Sequence, residues 1–266
     1  MPETLAARAT DAVTTAMSSA AAAFDQGIFE LETYGFTIIP QVLSHHEVAV
    51  LRALGARLDR ERGEDSAFLG TARHLSNLIP RDPAYFPMID HLRILPYIER
   101  LLGPDIILAS LNSRIVRPHD PDQGLHGDVP AGLRRPGQPI MVNTVWMLDD
   151  WTTLSGATRV VPGSHHMPQE MPPAERQLPH LLQALAPAGS VLIFDGRLWH
   201  GGGMNMGTQD RHGLFGHYRT GSWTSFQCDP HQDFPPAWLE RLSPRQRRLL
   251  RMQDGVRPAR WVDDRG

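Results

Sequence analysis

GSVLIFDGRLWHGG (residues 189–202) sets an apolar run, Val191 to Phe194, between glycine and Asp195-Gly196, restarts at Leu198-Trp199, and ends in one histidine followed by glycines. Short β-branched and aromatic runs bounded by Gly, Pro and Asp are strand signals. Similar segments lie on both sides: IILASLNSRIVRP from residue 106, IMVNTVWMLDD from 140, GATRVVPGSH from 156 and HGLFGHYRTG from 212. Short strands separated by such turns predict an antiparallel barrel or sandwich of the jelly-roll kind.

Outside this β-rich stretch the texture changes. Residues 3 to 33 are Ala-rich and predict a helix, and YGFTIIPQVL (34–43) a short strand. SHHEVAVLRALGARLDRERG (44–63) predicts a helix with Ser44 as N-cap, Glu47 as its reciprocal partner and Gly63 as a stop. Residues 64 to 90 carry Pro80, Pro83 and Pro87 and read as irregular, and a further helix over 91–102 should break near Pro96. The tail PPAWLERLSPRQRRLLRMQ returns to helix. The expected fold class is mainly β with flanking helices, in one domain over 1–266. Its parts are a mostly helical region to 103, a β core over 104–222 and a helical tail over 223–266.

Composition narrows the function. The 266 residues are 41% hydrophobic and 21% charged, which is ordinary globular usage. A net charge of −3 without charged blocks argues against a nucleic-acid partner. No apolar run reaches the ~18 residues that would span a bilayer. The N-terminus lacks a basic start and carries Glu3, Asp11 and Asp25, so a cytoplasmic protein is expected, with no membrane partner, as monomer or homodimer. The single Cys228 excludes an intrachain disulfide and a cysteine-cluster metal site. All 26 basic residues are Arg, which removes Schiff-base, pyridoxal-phosphate and P-loop lysine chemistry. Such bias suggests a GC-rich bacterial genome.

His200, at a strand end beside glycines, invites a search for metal co-ligands. A His and a carboxylate two apart on a strand share a face. With the His first, three such pairs occur: His45/Glu47, His126/Asp128 and His231/Asp233. The first falls in the opening turn of a helix, where i and i+2 diverge by about 200°. The third sits in a Pro-bounded loop. His126/Asp128, in QGLHGDVP, lies at the mouth of the β region, and Gly124 and Gly127 leave room there. Two His and one carboxylate make the facial triad of non-haem Fe(II) oxygenases, with open positions for a 2-oxo acid and O2. The far carboxylate of that acid needs a planar cation, and Arg211 follows His200 on the next strand. A Zn(II) hydrolytic site is the competing reading of the ligands, and a surface ion pair that of Arg211.

Taken in order, His126-Gly-Asp128, SGATRVVPGSHH, LWHGGGMN and Arg211 resemble the phytanoyl-CoA dioxygenase family of Fe(II)/2-oxoglutarate-dependent oxygenases, over roughly residues 30 to 225. The resemblance implies a double-stranded β-helix, iron ligands His126, Asp128 and His200, and 2-oxoglutarate held by Arg211. It carries Asn112 over as a further cosubstrate contact, and Thr158 is a candidate for the same role. Gly202 stands where family members often place a hydroxyl, and Asp128 fills the position that halogenase relatives leave small. Candidate substrate contacts are Arg114, Arg117, Trp146, Met204 and Trp223. His165 and His166 are expected at the surface or in support, and PAGLRRPGQP (130–139) is expected to act as a lid. The implied activity is hydroxylation of an unactivated C–H of a small molecule, in bacterial secondary metabolism. Desaturation, cyclisation, epimerisation and a non-catalytic binding barrel are the alternatives.

Overall fold

The computed structural model describes residues 5–62, 70–173, 178, 180–221 and 234–252. In chain order they form α1 (Leu5–Tyr34), β1 (Phe36–Ile39), α2 (His45–Arg62), β2 (Arg73–Leu75), α3 (Leu95–Leu102), β3 (Ile106–Val116), β4 (Met141–Met147), β5 (Arg159–Val160), β6 (Leu182–Gln183), β7 (Val191–Asp195), β8 (His200–Gly201), β9 (Arg211–Thr220) and α4 (Pro244–Leu249). A six-stranded sheet, β1-β7-β4-β9-β3-β2, faces a three-stranded one, β6-β5-β8, and every pairing is antiparallel. This is the double-stranded β-helix, with helices packed on the outer face of its larger sheet. The region before residue 103 is less purely helical than expected, because it supplies both edge strands, β1 and β2.

Local chemistry accounts for the helix ends. α1 stops at Gly35, whose φ of +86° suits glycine and whose amide donates to the Leu31 carbonyl. α2 opens with the expected reciprocal cap: Ser44 N–H donates to Glu47 Oε2 and Glu47 N–H to Ser44 Oγ. Glu47 therefore serves the helix, and its carboxyl is held below the usual range by the Ser44 hydroxyl, which donates to Oε2 at 2.7 Å, and by the Ser44 amide. α3 begins at Leu95, with Pro96 in its first turn. The proline starts that helix rather than breaking it, because a first-turn residue has no amide partner to lose.

Strand alternation then divides the core. On β4 and β7, Val142, Trp146, Val191 and Ile193 face the helices, together with Leu214 and Tyr218 of β9. The intervening Val145, Met147, Leu192 and Phe194 fill the space between the two sheets. Both faces of β4 are covered, so all of it is buried. The register of β3 against β9 shifts between Leu108 and Ser110. After that shift Leu111 still faces the helical core, while Asn112 and Arg114 share the parity that turns inward.

Candidate metal centre

The segment carrying His126 and Asp128 is zipped to the strand carrying His200. His126 N–H donates to the His200 carbonyl (2.9 Å), His200 N–H to that of His126 (2.8 Å), and Gln123 N–H to that of Gly202 (2.9 Å). The glycines permit this approach. A Cβ on Gly201 would stand 2.7 Å from the Gln123 carbonyl oxygen, and one on Gly203 would stand 2.8 Å from that of Ala157. Gly127 is equally crowded, by Arg134 and the Arg197 carbonyl. Of the three glycines after His200, only Gly202 faces open space, with nothing nearer than 3.9 Å. The glycine run thus serves mainly backbone packing.

The zipper brings three side chains together. Nε2 of His126 lies 3.5 Å from Asp128 Oδ1, and Nε2 of His200 lies 3.6 Å from Asp128 Oδ2. One ligand atom from each falls within 4.8 Å of the others, the one such His/Cys/Asp/Glu group among the described residues. Each imidazole is oriented by its other nitrogen. Nδ1 of His126 meets the Gly124 carbonyl and Nδ1 of His200 the Leu198 carbonyl, both at 2.9 Å. Carbonyls only accept, so Nδ1 carries a proton; the neutral ring then presents the Nε2 lone pair to the cluster, and the protonated ring donates from Nε2 to the carboxylate. Burial pushes the Asp128 carboxyl up, but His200 and the hydrogen bond with His126 outweigh it and hold the group ionised far below its usual range. The bond to Asp128 raises His126, while burial lowers His200.

The cluster opens into a pocket of about 760 Å³ empty volume, part of it solvent, whose walls include His74, Arg114, Gln123, Thr158, Phe194 and Arg211. Arg211 is almost fully buried, 2% exposed, with its guanidinium 4.3 Å over the Trp151 ring. Its Nε and Nη1 have no hydrogen-bond partner among the described residues. Burial, with Arg114 nearby, pulls it down to about 9, and Asp149 opposes the shift. A buried cation with orphaned donors beside two imidazoles and a carboxylate fits a metal ion together with an anionic chelator.

The structure redistributes the other candidates. Thr158 and Arg114 line the pocket. Arg114 lies over Phe215 and donates to Gln123 Oε1 at 2.9 Å. Asn112 does not line it: its Oδ1 accepts the Asn77 amide (3.0 Å) and its Nδ2 donates to Ser110 Oγ, so it ties the 72–79 segment to the sheet. Trp146 sits in the helix-facing core against His91, because even positions of β4 point away from the pocket. Arg117 pairs with Asp59 at 3.3 Å, outside the pocket. Met204 is exposed at the surface, its amide donating to Asp122. Trp223 and the pair His231/Asp233 lie outside the described residues. His165 is buried rather than superficial, with Nε2 3.2 Å from the Glu32 carbonyl, and burial lowers it to about 4.

The segment expected to be a lid is fastened down. Arg134 is buried and donates to the carbonyls of Met167, Ser164 and Arg197. No residue of 130–139 is among the pocket walls. Two wall residues carried no warning in the sequence: Asn143 on β4, whose Nδ2 donates to Asp128 Oδ2 at 2.6 Å, and His217 on β9, whose Nδ1 meets Asn143 Oδ1 at 2.7 Å.

Comparison with known proteins agrees with this geometry. Residues 31–213 match the phytanoyl-CoA dioxygenase (PhyH) family model. The chain is 29% identical over 238 residues to dioxygenase af480 of Aspergillus fumigatus, covering 83% of this chain and 74% of that one. It is also 29% identical over 217 residues to protein Rv1501 of Mycobacterium tuberculosis, covering 77% and 78%. Among solved structures it resembles the epimerase SnoN in complex with Fe3+, alpha-ketoglutarate and nogalamycin RO (TM-score 0.63, 20% identity, 75% and 84% coverage). HygX from Streptomyces hygroscopicus with nickel and 2-oxoglutarate bound is similar in fold (TM-score 0.64, 18% identity, 79% and 93% coverage). The chain belongs to the phytanoyl-CoA dioxygenase family and is an enzyme of the iron- and 2-oxoglutarate-dependent oxygenase class. Among the described residues no helix is long and apolar enough to cross a membrane.

Proposed function

We propose that this phytanoyl-CoA dioxygenase family member hydroxylates an unactivated C–H bond of a small molecule, with His126, Asp128 and His200 holding Fe(II) and Arg211 holding the distal carboxylate of 2-oxoglutarate. The observation that carries the reading is Arg211: a desolvated guanidinium with unpaired donors, in the same pocket as the three ligand atoms. A Zn(II) hydrolase has no use for that cation, and a surface ion pair would not bury it. When bound, Fe(II), 2-oxoglutarate and O2 together supply the oxidation: one oxygen atom enters the substrate C–H, the other enters succinate, and CO2 leaves. The protein's share is placement. The Nδ1–H bonds to Gly124 and Leu198 present the imidazole lone pairs, Arg211 fixes the cosubstrate, and Thr158 lines the same pocket as a second contact for it. Arg114, over Phe215, offers a cation to the substrate side of the pocket. The names of the related proteins point to a natural product as substrate. We read the whole chain as one oxygenase domain.

Anaerobic addition of Fe(II) and then 2-oxoglutarate should give the weak visible charge-transfer band of the chelate. His200→Ala should abolish it, and Arg211→Ala should demand far more 2-oxoglutarate. Fe(II) binding without a band in wild type would reject the reading. Turnover under ¹⁸O₂ separates the outcomes. Label in the product identifies hydroxylation, whereas an unlabelled isomer of unchanged mass would point to epimerisation, the activity named for SnoN.

A further inference from the structure

Asp128 has two oxygens, and the pocket treats them differently. Oδ2 accepts a 2.6 Å hydrogen bond from Asn143 Nδ2, while Oδ1 has no such donor from β4 or β9. Asn143 is in turn held by His217, its direct partner across the β4–β9 ladder, at 2.7 Å. The direction of this chain follows from donor chemistry. An ionised carboxylate can only accept, so the amide must turn its NH2 toward Asp128. The amide oxygen is then left facing His217, so Nδ1 of that ring must carry the proton. No other assignment of amide and tautomer satisfies both contacts. Asn143 and His217 both line the pocket, 15 and 89 residues in sequence from Asp128.

We infer that His217 and Asn143 are positioning residues that hold Asp128 Oδ2 and so commit Oδ1 to the metal. The inference rests on the metal-site reading above. A carboxylate pinned by one oxygen offers the other as a single ligand and keeps the remaining metal positions for the chelator and O2. A carboxylate released by loss of Asn143 is free to turn both oxygens inward. His217 acts one step further out, by fixing which end of the Asn143 amide faces the carboxylate.

The test titrates Co(II) anaerobically into metal-free wild type, Asn143→Ala, His217→Phe and His217→Gln. Calorimetry gives the affinity, the visible d–d spectrum reports coordination, and circular dichroism checks the metal-free fold. Wild type should bind one Co(II). Asn143→Ala should bind 10- to 100-fold more weakly, the range typical for loss of an outer hydrogen bond to a ligand, and its spectrum should change shape. His217→Phe should show a smaller loss in the same direction, and His217→Gln, which can still donate to Asn143, should recover most of it. Wild-type affinity and an unchanged spectrum in Asn143→Ala would overturn the relay while leaving the metal site standing. A wild type that binds no Co(II) or Fe(II) would overturn both. If Asn143→Ala fails to fold, the contrast between His217→Phe and His217→Gln decides alone: equal affinities reject the inference.

Discussion

Arg211 shows the cost of the site at the scale of one residue. Folding strips water from a guanidinium and gives Nε and Nη1 no acceptor among the described residues. Burial and Arg114 depress its proton affinity, yet at about 9 it remains a cation at neutral pH. A buried charge without a partner is destabilising, and an apolar residue of similar length often is not. Arg211→Met should therefore leave the metal-free protein as stable as wild type, or more so, in thermal unfolding. The same variant should lose about 2–5 kcal/mol of 2-oxoglutarate affinity, the range for truncating one partner of a buried charge pair. Wild type should gain thermal stability from Fe(II) plus 2-oxoglutarate, and the variant should not. A marked fall in the melting temperature of metal-free Arg211→Met would mean that the guanidinium is structural. Its place in the pocket was legible in the sequence, as were those of His126, Asp128 and His200, because each sits in a short local pattern. Those of Asn143 and His217 were not. Each looks like any inward position on an alternating strand, and only the β4–β9 register places both beside Asp128.

At the scale of the element, β8 and the segment that zips to it explain why the glycines differ. Gly201 and Gly203 sit against backbone oxygens that cannot step aside, whereas Gly202 faces the pocket. Gly201→Ala should cost about 1–3 kcal/mol by overpacking and should weaken metal binding, because the strain falls between His200 and the Gln123–Gly124 turn that orients His126. Gly202→Ala should change stability by under about 0.5 kcal/mol, as expected for a substitution into open space. Chemical denaturation of the two variants beside wild type decides the matter, and equal losses would contradict this account. Sequence identified the glycine run as special but not its purpose, since crowding by a distant carbonyl leaves no local mark. The 130–139 segment misleads for the same reason. Its Gly and Pro content suggests mobility, while Arg134 anchors it through carbonyls thirty or more residues away. The register shift in β3 was equally invisible, although the sequence did name Arg114 as a candidate contact.

At the scale of the whole molecule, the barrel's two covered faces bury histidines as well as apolar residues, and this fixes how the protein responds to acid. Burial lowers His74, His165 and His217 each to about 4, against an ordinary value near 6.5. Between those values the unfolded chain binds protons that the folded chain refuses, so stability is fully present above about pH 6.5 and declines as pH falls toward 4. A fully protected histidine contributes a slope of about 1.4 kcal/mol per pH unit in that window. His74 keeps some solvent contact and contributes less. His126, shifted the other way, acts above that window: its contribution is fully present below about pH 6.5 and is lost as pH rises through its raised folded value. Asp128, held low, loses its contribution only below the usual carboxylate range and so extends the decline rather than opposing it. The melting temperature of metal-free protein should not fall between pH 8 and 7 and should drop steeply from 6.5 to 5. His165 lies away from the pocket, with its ring on the Glu32 carbonyl at the end of α1, so His165→Gln isolates one contribution without touching the metal site. That variant should begin with a lower melting temperature at pH 8 and then fall less steeply with acid, its curve converging on wild type near pH 5. Parallel curves across the whole range would show that His165 titrates in the folded state, and the burial that defines this face of the barrel would not be what sets its acid limit.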